Sequence, residues 1–250
     1  PMDGNGHGTH VAGIVAAEGD GYSGVAPKAE LYAYKVLSDD GWGMNTDIIA
    51  ALEHAVDPDN DPLTDDAVDI INMSLGGGGS PTDPLSEATN AAVDAGIIVV
   101  VAAGNDRTYG AINTSSPANA VKAITVASST KSDDLSSFSS KALLEDGMAL
   151  KPEITAPGSD INASYLDHGL MSLSGTSMAS PHVAGAVALL KQGKPELTAQ
   201  QAKELLMASA IDLTLDPLSQ GAGRLDIEAA FNVDTVIPQG LINLGTVDKS

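Results

Sequence analysis

The chain contains no cysteine. Disulfides and thiolate-bound zinc are therefore excluded, and the absence says nothing about compartment. Basic residues are scarce as well. Twelve Lys and Arg stand against 33 Asp and Glu, a formal net charge of −21. Such a surface repels phosphate backbones and acidic headgroups, so neither nucleic acid nor an anionic membrane is expected as a partner. It suits an extracellular protein exposed to salt or loaded with calcium, although solubilising charge alone accounts for it equally. No apolar run is long enough to span a bilayer, and no internal repeat is apparent. At 250 residues and 43% hydrophobic content, the chain fits one α/β domain or two small ones.

What is present is an alternation of two patterns. AELYAYKVL (Ala29–Leu37), VDIINMSL (Val68–Leu75), GIIVVVAAG (Gly96–Gly104) and AITVAS (Ala123–Ser128) are short and apolar, and rich in Val, Ile and Tyr. They predict strands buried on both faces. Helical spacing runs over Asn45–Val56, Asp83–Gly96, Ser177–Gly193 and Thr198–Ala210. The second of these opens on Asp-Pro and closes on Gly, and the last opens on a Thr cap. The alternation predicts right-handed crossovers and a mainly parallel sheet, with ligands outside the carboxyl ends of the strands.

Four stretches carry unusual chemistry. VVVAAGND ends a strand in Ala102, Ala103 and Gly104 and then presents the Asn105 amide. NMSLGGGG leaves Ser74, Leu75 and Gly76 as an open main-chain edge. LSGTSMASPHVAGAVALL places Ser177 near a helix N-terminus, where free N–H groups favour developing negative charge; Pro181 is read as lying in that helix's first turn. GHGTHVAGIVAA offers His7 and His10, without the Glu of a zinc-protease helix. Singly, a Gly-Thr-Ser is a helix cap and an Asn after Gly a turn residue. In this order, they are the base, oxyanion donor and nucleophile of acyl transfer.

DGNGHGTHVAGIVAA, INMSLGGG, VVVAAGN and SLSGTSMASPHVAGAVALL resemble the histidine, substrate-strand, oxyanion and serine blocks of the subtilisin-like serine proteases, the subtilases. The resemblance runs from Gly4 to about Phe231. It implies a three-layer α/β fold and a serine endopeptidase acting on polypeptides, with His7 as general base, Ser177 as nucleophile and Asn105 as oxyanion donor. His10 matches a packed helix position. A substrate strand would add between Gly41-Trp42-Gly43 and Ser74-Leu75-Gly76. Its P1 side chain would enter a pocket walled by Ala102-Ala103-Gly104, with a floor near Ser115 or Ser116. Trp42, Met44 and Ile48 would border S4. A catalytically silent relative that binds extended peptides in the same groove remains the alternative.

Subtilases order their triad Asp, His, Ser, and no strand-end aspartate precedes His7. Asp3 lies on the same short lead-in, too close along the chain to reach the far ring nitrogen. The expectation is a catalytic domain over 1–231 that lacks its N-terminal strand or strands, with a missing N-terminal segment bearing the aspartate. Residues 232–250 read as an extension, or as the start of a following β-domain of the kind found in cell-envelope subtilases. No cofactor is expected for catalysis. A structural Ca²⁺ is suggested by DPDNDPLTDDAVD, with Asp57, Asp59, Asp61 and Asp65 as ligands and Asn60 and Asp66 nearby. Pro62 and Val68 exclude an EF-hand, and a solvated acidic turn is the alternative.

Overall fold

The computed structural model describes residues 2–19, 22–61, 66–106, 115–144 and 150–233. Of the extension read at 232–250, residues 234–250 lie outside them, and Asn232 ends the last helix. The centre is a four-stranded, fully parallel sheet in the order β3 (Ile70–Met73), β4 (Ile98–Ala102), β5 (Ile124–Ser129), β8 (Ile154–Pro157). Alternation along β4 divides two cores, since successive side chains point to opposite faces. Ile98 and Val100 pack with α4 (Thr176–Gly193), α5 (Ala199–Ser209) and α7 (Ile227–Asn232). Val99 and Val101 pack with α2 (Asn45–Val56) and α3 (Pro84–Asp94). The result is the three-layer α/β/α arrangement expected from the sequence.

Around this frame, α1 (His7–Ala16) packs on α4 and on the antiparallel hairpin β9 (Ile161–Ser164)–β10 (Leu170–Leu173). Smaller pieces are the pairs β1 (Glu18–Gly19) with β2 (Tyr22–Ser23) and β6 (Ala142–Leu143) with β7 (Leu150–Lys151), the short helix α6 (Pro217–Gln220), and a 3-10 turn, Leu166–His168, joining β9 to β10. Among the described residues no helix is long and apolar enough to cross a membrane.

The local signals act as read in most helices. Asp83 caps α3 through Ser86 N–H, with Pro84 at the first helical position. Thr198 and Gln201 form a reciprocal capping box on α5. One expectation fails. Ala29–Leu37 forms no strand, and Leu31 and Tyr32 are 50% and 67% exposed. A β-rich sequence becomes a strand only when a neighbour supplies main-chain partners and lateral burial. Among the described residues no strand pairs with this segment, nor with the outer edge of β3.

At the amino ends of β5 and β8 the core holds charge. Lys151 is fully buried and donates to Glu153 Oε1 at 2.7 Å, and Lys203 from α5 reaches the same oxygen at 2.6 Å. Burial pushes the Lys151 ammonium down to about 7, opposed by Glu153 and reinforced by Lys203. Burial alone would raise the Glu153 carboxyl, but the two ammoniums hold it below its ordinary value. The unfolded lysine titrates near 10.5. Between about pH 7 and 10.5 the unfolded chain therefore binds the extra proton, and raising the pH favours the folded state. That contribution is complete above the unfolded value and is lost as the pH falls through the folded one. Urea midpoints measured across this range should rise more steeply in the parent than in Lys151→Met. Parallel profiles would refute the assignment.

Candidate active site

The carboxyl ends of β3 and β4 meet the first turn of α4. Thr176 makes the joint to β4: its Oγ1 donates to Asn105 Oδ1 and accepts from Gly104 N–H, at 3.0 and 3.1 Å, and its N–H donates to the same Asn105 oxygen at 3.0 Å. With its carbonyl oxygen doubly held, the Asn105 amide has a defined orientation. Asn105 is exposed, and no acceptor engages its Nδ2 or the Ser177 N–H among the described residues. A Cβ placed on Gly175 would lie 3.5 Å from that Nδ2 and 3.7 Å from the Ser177 nitrogen. Two free donors thus open onto one small space, at a helix end whose Gly175 cap offers no side-chain partner.

The joint to β3 depends on Pro181. It sits at the sixth helical position of α4, beyond the first turn where the sequence reading placed it. Lacking an N–H, it cannot bond the Ser177 carbonyl four residues back. Ser74 Oγ fills the vacancy, donating to Ser177 O at 2.9 Å. Asn72 Nδ2 donates to Ser74 Oγ at 3.0 Å, and Ser180 Oγ donates to Asn72 Oδ1 at 2.6 Å. The Ser177 hydroxyl itself has only a long contact to Ser74 O, 3.4 Å. It is thereby left available for chemistry. The roles of Thr176, Asn72 and Ser180 were not legible in the sequence; the proline within a serine-rich helix start was the signal.

His7 occupies the first position of α1, the helix packed against α4. Burial pushes its imidazole below the ordinary value, the neighbouring His10 adds to this, and Asp3 opposes it. His10 is fully buried, its Nε2 set between Ile161 O and Met171 O at 3.1 and 2.9 Å. It clamps α1 to the β9–β10 hairpin, a packing role as expected. Asp3 is committed elsewhere. One oxygen accepts from Asn5 and Gly6 N–H, and the other from Thr9 N–H and Oγ1, at 2.6–2.9 Å. It caps α1, and it acts on His7 only through space.

Beside the serine, Gly76 and Gly104 face a common floor. Their added Cβ atoms would fall 2.6 and 3.3 Å from Ser115 Oγ. Gly77 and Ser116 exchange main-chain hydrogen bonds at 3.0 and 2.9 Å, and Asp83 Oδ1 accepts from Ser116 Oγ at 2.9 Å. The segments carrying Gly76, Gly104 and Ser115 thus meet at the strand ends. Gly41-Trp42-Gly43 lies in an exposed turn closed by Ser38 N–H to Trp42 O at 2.8 Å, with Trp42 81% exposed. Met44 is exposed beside it, whereas Ile48 is buried in the α2–α3 core.

The acidic loop gathers Asp57, Asp59 and Asp66, each with a carboxylate oxygen within 4.8 Å of the others. Asp57 and Asp59 belong to the expected set, and Asp66 to the residues expected near it. Asp61 donates its main-chain N–H to Asp59 Oδ1 at 2.9 Å, and Asp65 lies outside the described residues.

Comparison with known proteins agrees with this architecture. The family model described as the subtilase family matches residues 1–228, and the chain belongs to that family. It is 42% identical to subtilisin DY of Bacillus licheniformis over 231 residues, covering 91% of this chain and 78% of that protein. To subtilisin Savinase of Lederbergia lenta it is 40% identical, with 92% and 78% covered. The crystal structure of a cold-adapted subtilisin-like serine proteinase superposes with a TM-score of 0.71 at 34% identity, over 90% of this chain and 74% of that one.

The capping role of Asp3 has a measurable consequence. Burial would raise its pKa, but hydrogen bonds from Thr9, Gly6 and Asn5 outweigh that and hold it well below the ordinary carboxylate value. The stabilisation is therefore present above about pH 4 and is lost as the pH falls towards the folded value. Asp3→Ala should cost about 1 kcal/mol at pH 7, as for other helix caps. The cost should shrink in acid. An equal loss at pH 7 and pH 2.5 would contradict it.

Proposed function

We propose that this protein is a serine endopeptidase that cleaves polypeptides through an acyl-enzyme. The observation that carries the reading is the pair of free donors, Asn105 Nδ2 and Ser177 N–H, beside a hydroxyl at a helix N-terminus. In this scheme Ser177 Oγ attacks the scissile carbonyl carbon while His7 takes its proton. The carbonyl oxygen becomes an oxyanion held by the two donors. His7 then returns the proton to the departing amine nitrogen, and water repeats the sequence on the acyl-enzyme. A depressed His7 pKa keeps the imidazole in its basic form at neutral pH. The substrate lies extended between Gly41-Trp42-Gly43 and Ser74-Leu75-Gly76, with its P1 side chain in the Ser115 pocket. An extracellular setting accords with the charge balance.

The fluorophosphonate-reactive nucleophile should be Ser177 in the full-length protein, and Ser177→Ala should abolish both labelling and hydrolysis. Asn105→Ala should lower kcat by about 10²–10³ with little change in KM. An unlabelled, folded Ser177 would support the silent peptide-binding relative instead.

The carboxylate that orients His7 is assigned to a strand outside this sequence, not to Asp3. Two features support this: Asp3 accepts from four donors, and no strand pairs with the outer edge of β3 among the described residues. Loss of the orienting aspartate costs about 10⁴ in turnover. Asp3→Asn should therefore leave kcat of the full-length protein within a few-fold, and a 10⁴-fold loss would make Asp3 the triad member.

The Asp57, Asp59 and Asp66 cluster is assigned to a structural Ca²⁺. Three hard oxygen donors converge there, and Asp57 Oδ1 is buried with no hydrogen-bond partner. Bound calcium would stabilise the folded state and take no part in the chemistry. EDTA should lower the melting temperature of the parent, and Asp57→Asn should abolish that response. Equal melting with and without chelator would remove the site.

A further inference from the structure

The Lys151–Glu153–Lys203 cluster lies at the opposite end of the sheet from Ser177, and the acyl-transfer scheme makes no use of it. Where its remaining hydrogen bonds go is informative. Lys151 Nζ donates to Ala123 O at 3.0 Å, and Lys203 Nζ donates to Val121 O and Ala123 O, each at 3.0 Å. Glu153 Oε2 accepts from Thr125 N–H, and Thr125 Oγ1 donates to Ala118 O, both at 2.8 Å. The carbonyls of Ala118, Val121 and Ala123 are thus all held by this group of side chains.

These carbonyls belong to the connection that runs from Ser115 into β5. Ala118, Ala120 and Ala123 are completely buried in it, and the stretch has neither a helical nor a strand ladder of its own. Buried main-chain oxygens outside regular structure require partners from elsewhere. The alanines cannot supply them. As a source of stability alone the cluster is a poor choice, because two ammoniums share one carboxylate in the interior. Well-packed apolar residues would serve as well or better. Its distinctive product is the fixed path of 118–123, and that path continues directly into Ser115 and Ser116 at the pocket floor.

We infer that Lys203, Lys151 and Glu153 form a positioning device for the substrate pocket, setting its depth by anchoring the connection that carries Ser115. The inference rests on the reading of that pocket as the P1 site. It predicts that disturbing the cluster alters which side chain is accepted while the acyl-transfer machinery stays intact.

The test uses the full-length protein and p-nitroanilide peptides differing only at P1, with Ala, Leu or Phe. Lys203→Met should change the Phe-to-Ala ratio of kcat/KM by about tenfold, the scale on which pockets discriminate by size. The change should fall on KM, with the rate of Ser177 labelling by a small fluorophosphonate unaltered. Thr125→Val removes only the Ala118 bond at nearly constant volume, so it should shift the ratio in the same direction by less. It keeps the question open to experiment if Lys203→Met does not fold. Ser115→Leu separates the two levels. If it leaves the P1 profile unchanged, the pocket reading falls and this inference with it. If Ser115→Leu changes the profile while folded cluster variants do not, the pocket stands and the positioning role is overturned.

Discussion

The hydroxyl of Thr176 holds the site together. The residue is 1% exposed, and its hydroxyl bridges the tip of β4 to the first turn of α4, accepting from Gly104 and donating to Asn105. A serine on a helix and an amide on a strand end have no local reason to share a geometry. The bridge supplies one, and it does so with the amide oxygen, leaving the amide nitrogen free. Ser74 repeats the device on β3 through the carbonyl that Pro181 vacates. Both strand tips are therefore referenced to the same helical turn, which is the condition for preorganised donors to act on charge that develops in a reaction.

The helix ends show how stability and chemistry divide the same resource. α3, α5 and α7 each receive a side-chain cap, from Asp83, Thr198 and Asp226. α1 takes its cap from Asp3, three residues before the Gly6 that precedes the helix. The N-terminus of α4 has no side-chain acceptor on its cap residue. An orphan N–H lacks the intrahelical partner that a cap would replace, and here it is left as a free donor beside the Ser177 hydroxyl. Pro181 is a second local irregularity, removing a helical hydrogen bond and thereby docking β3. The two irregularities of α4 fall within six residues of each other, on either side of Ser177.

Much of this was legible in the sequence because its causes are local. The bounds of α2, the caps of α3 and α5, and the buried runs of β4 and β5 follow from spacing and end signals. Asn105 and Ser177 stood out because strand-end and helix-start positions expose chemistry. What was not legible depends on partners distant along the chain. Glu153 and Lys203 are fifty residues apart in sequence, and only the packing of α5 on the sheet brings their charges together. Asp66 joins Asp57 and Asp59 across seven residues of loop, a closure that residue spacing does not encode. Ala29–Leu37 failed for the same reason: its composition states a preference, and a neighbouring strand must satisfy it.

That last failure has structural meaning. Val36 from the extended segment and Ile71 from β3 pack against one and the same core, between α2 and α3. On β3, Ile70 and Ile71 remain only half-buried, although their sequence reads as fully interior, whereas every residue of β4 is buried. Unpaired edges carrying apolar side chains are the features that folded proteins normally cover or blunt. Leu31, Tyr32 and Ile70 carry no charge themselves, although Glu30, Lys35 and Asp69 lie beside them in the chain. The β3 edge and the 29–37 segment thus have the composition of strands in the interior of a parallel sheet. A strand added at that edge would end on the same side as Ser74 and Asn105, because parallel strands share the end at which ligands bind. In the proposed scheme one such strand would both pair with the β3 edge left open among the described residues and bring the carboxylate that orients His7.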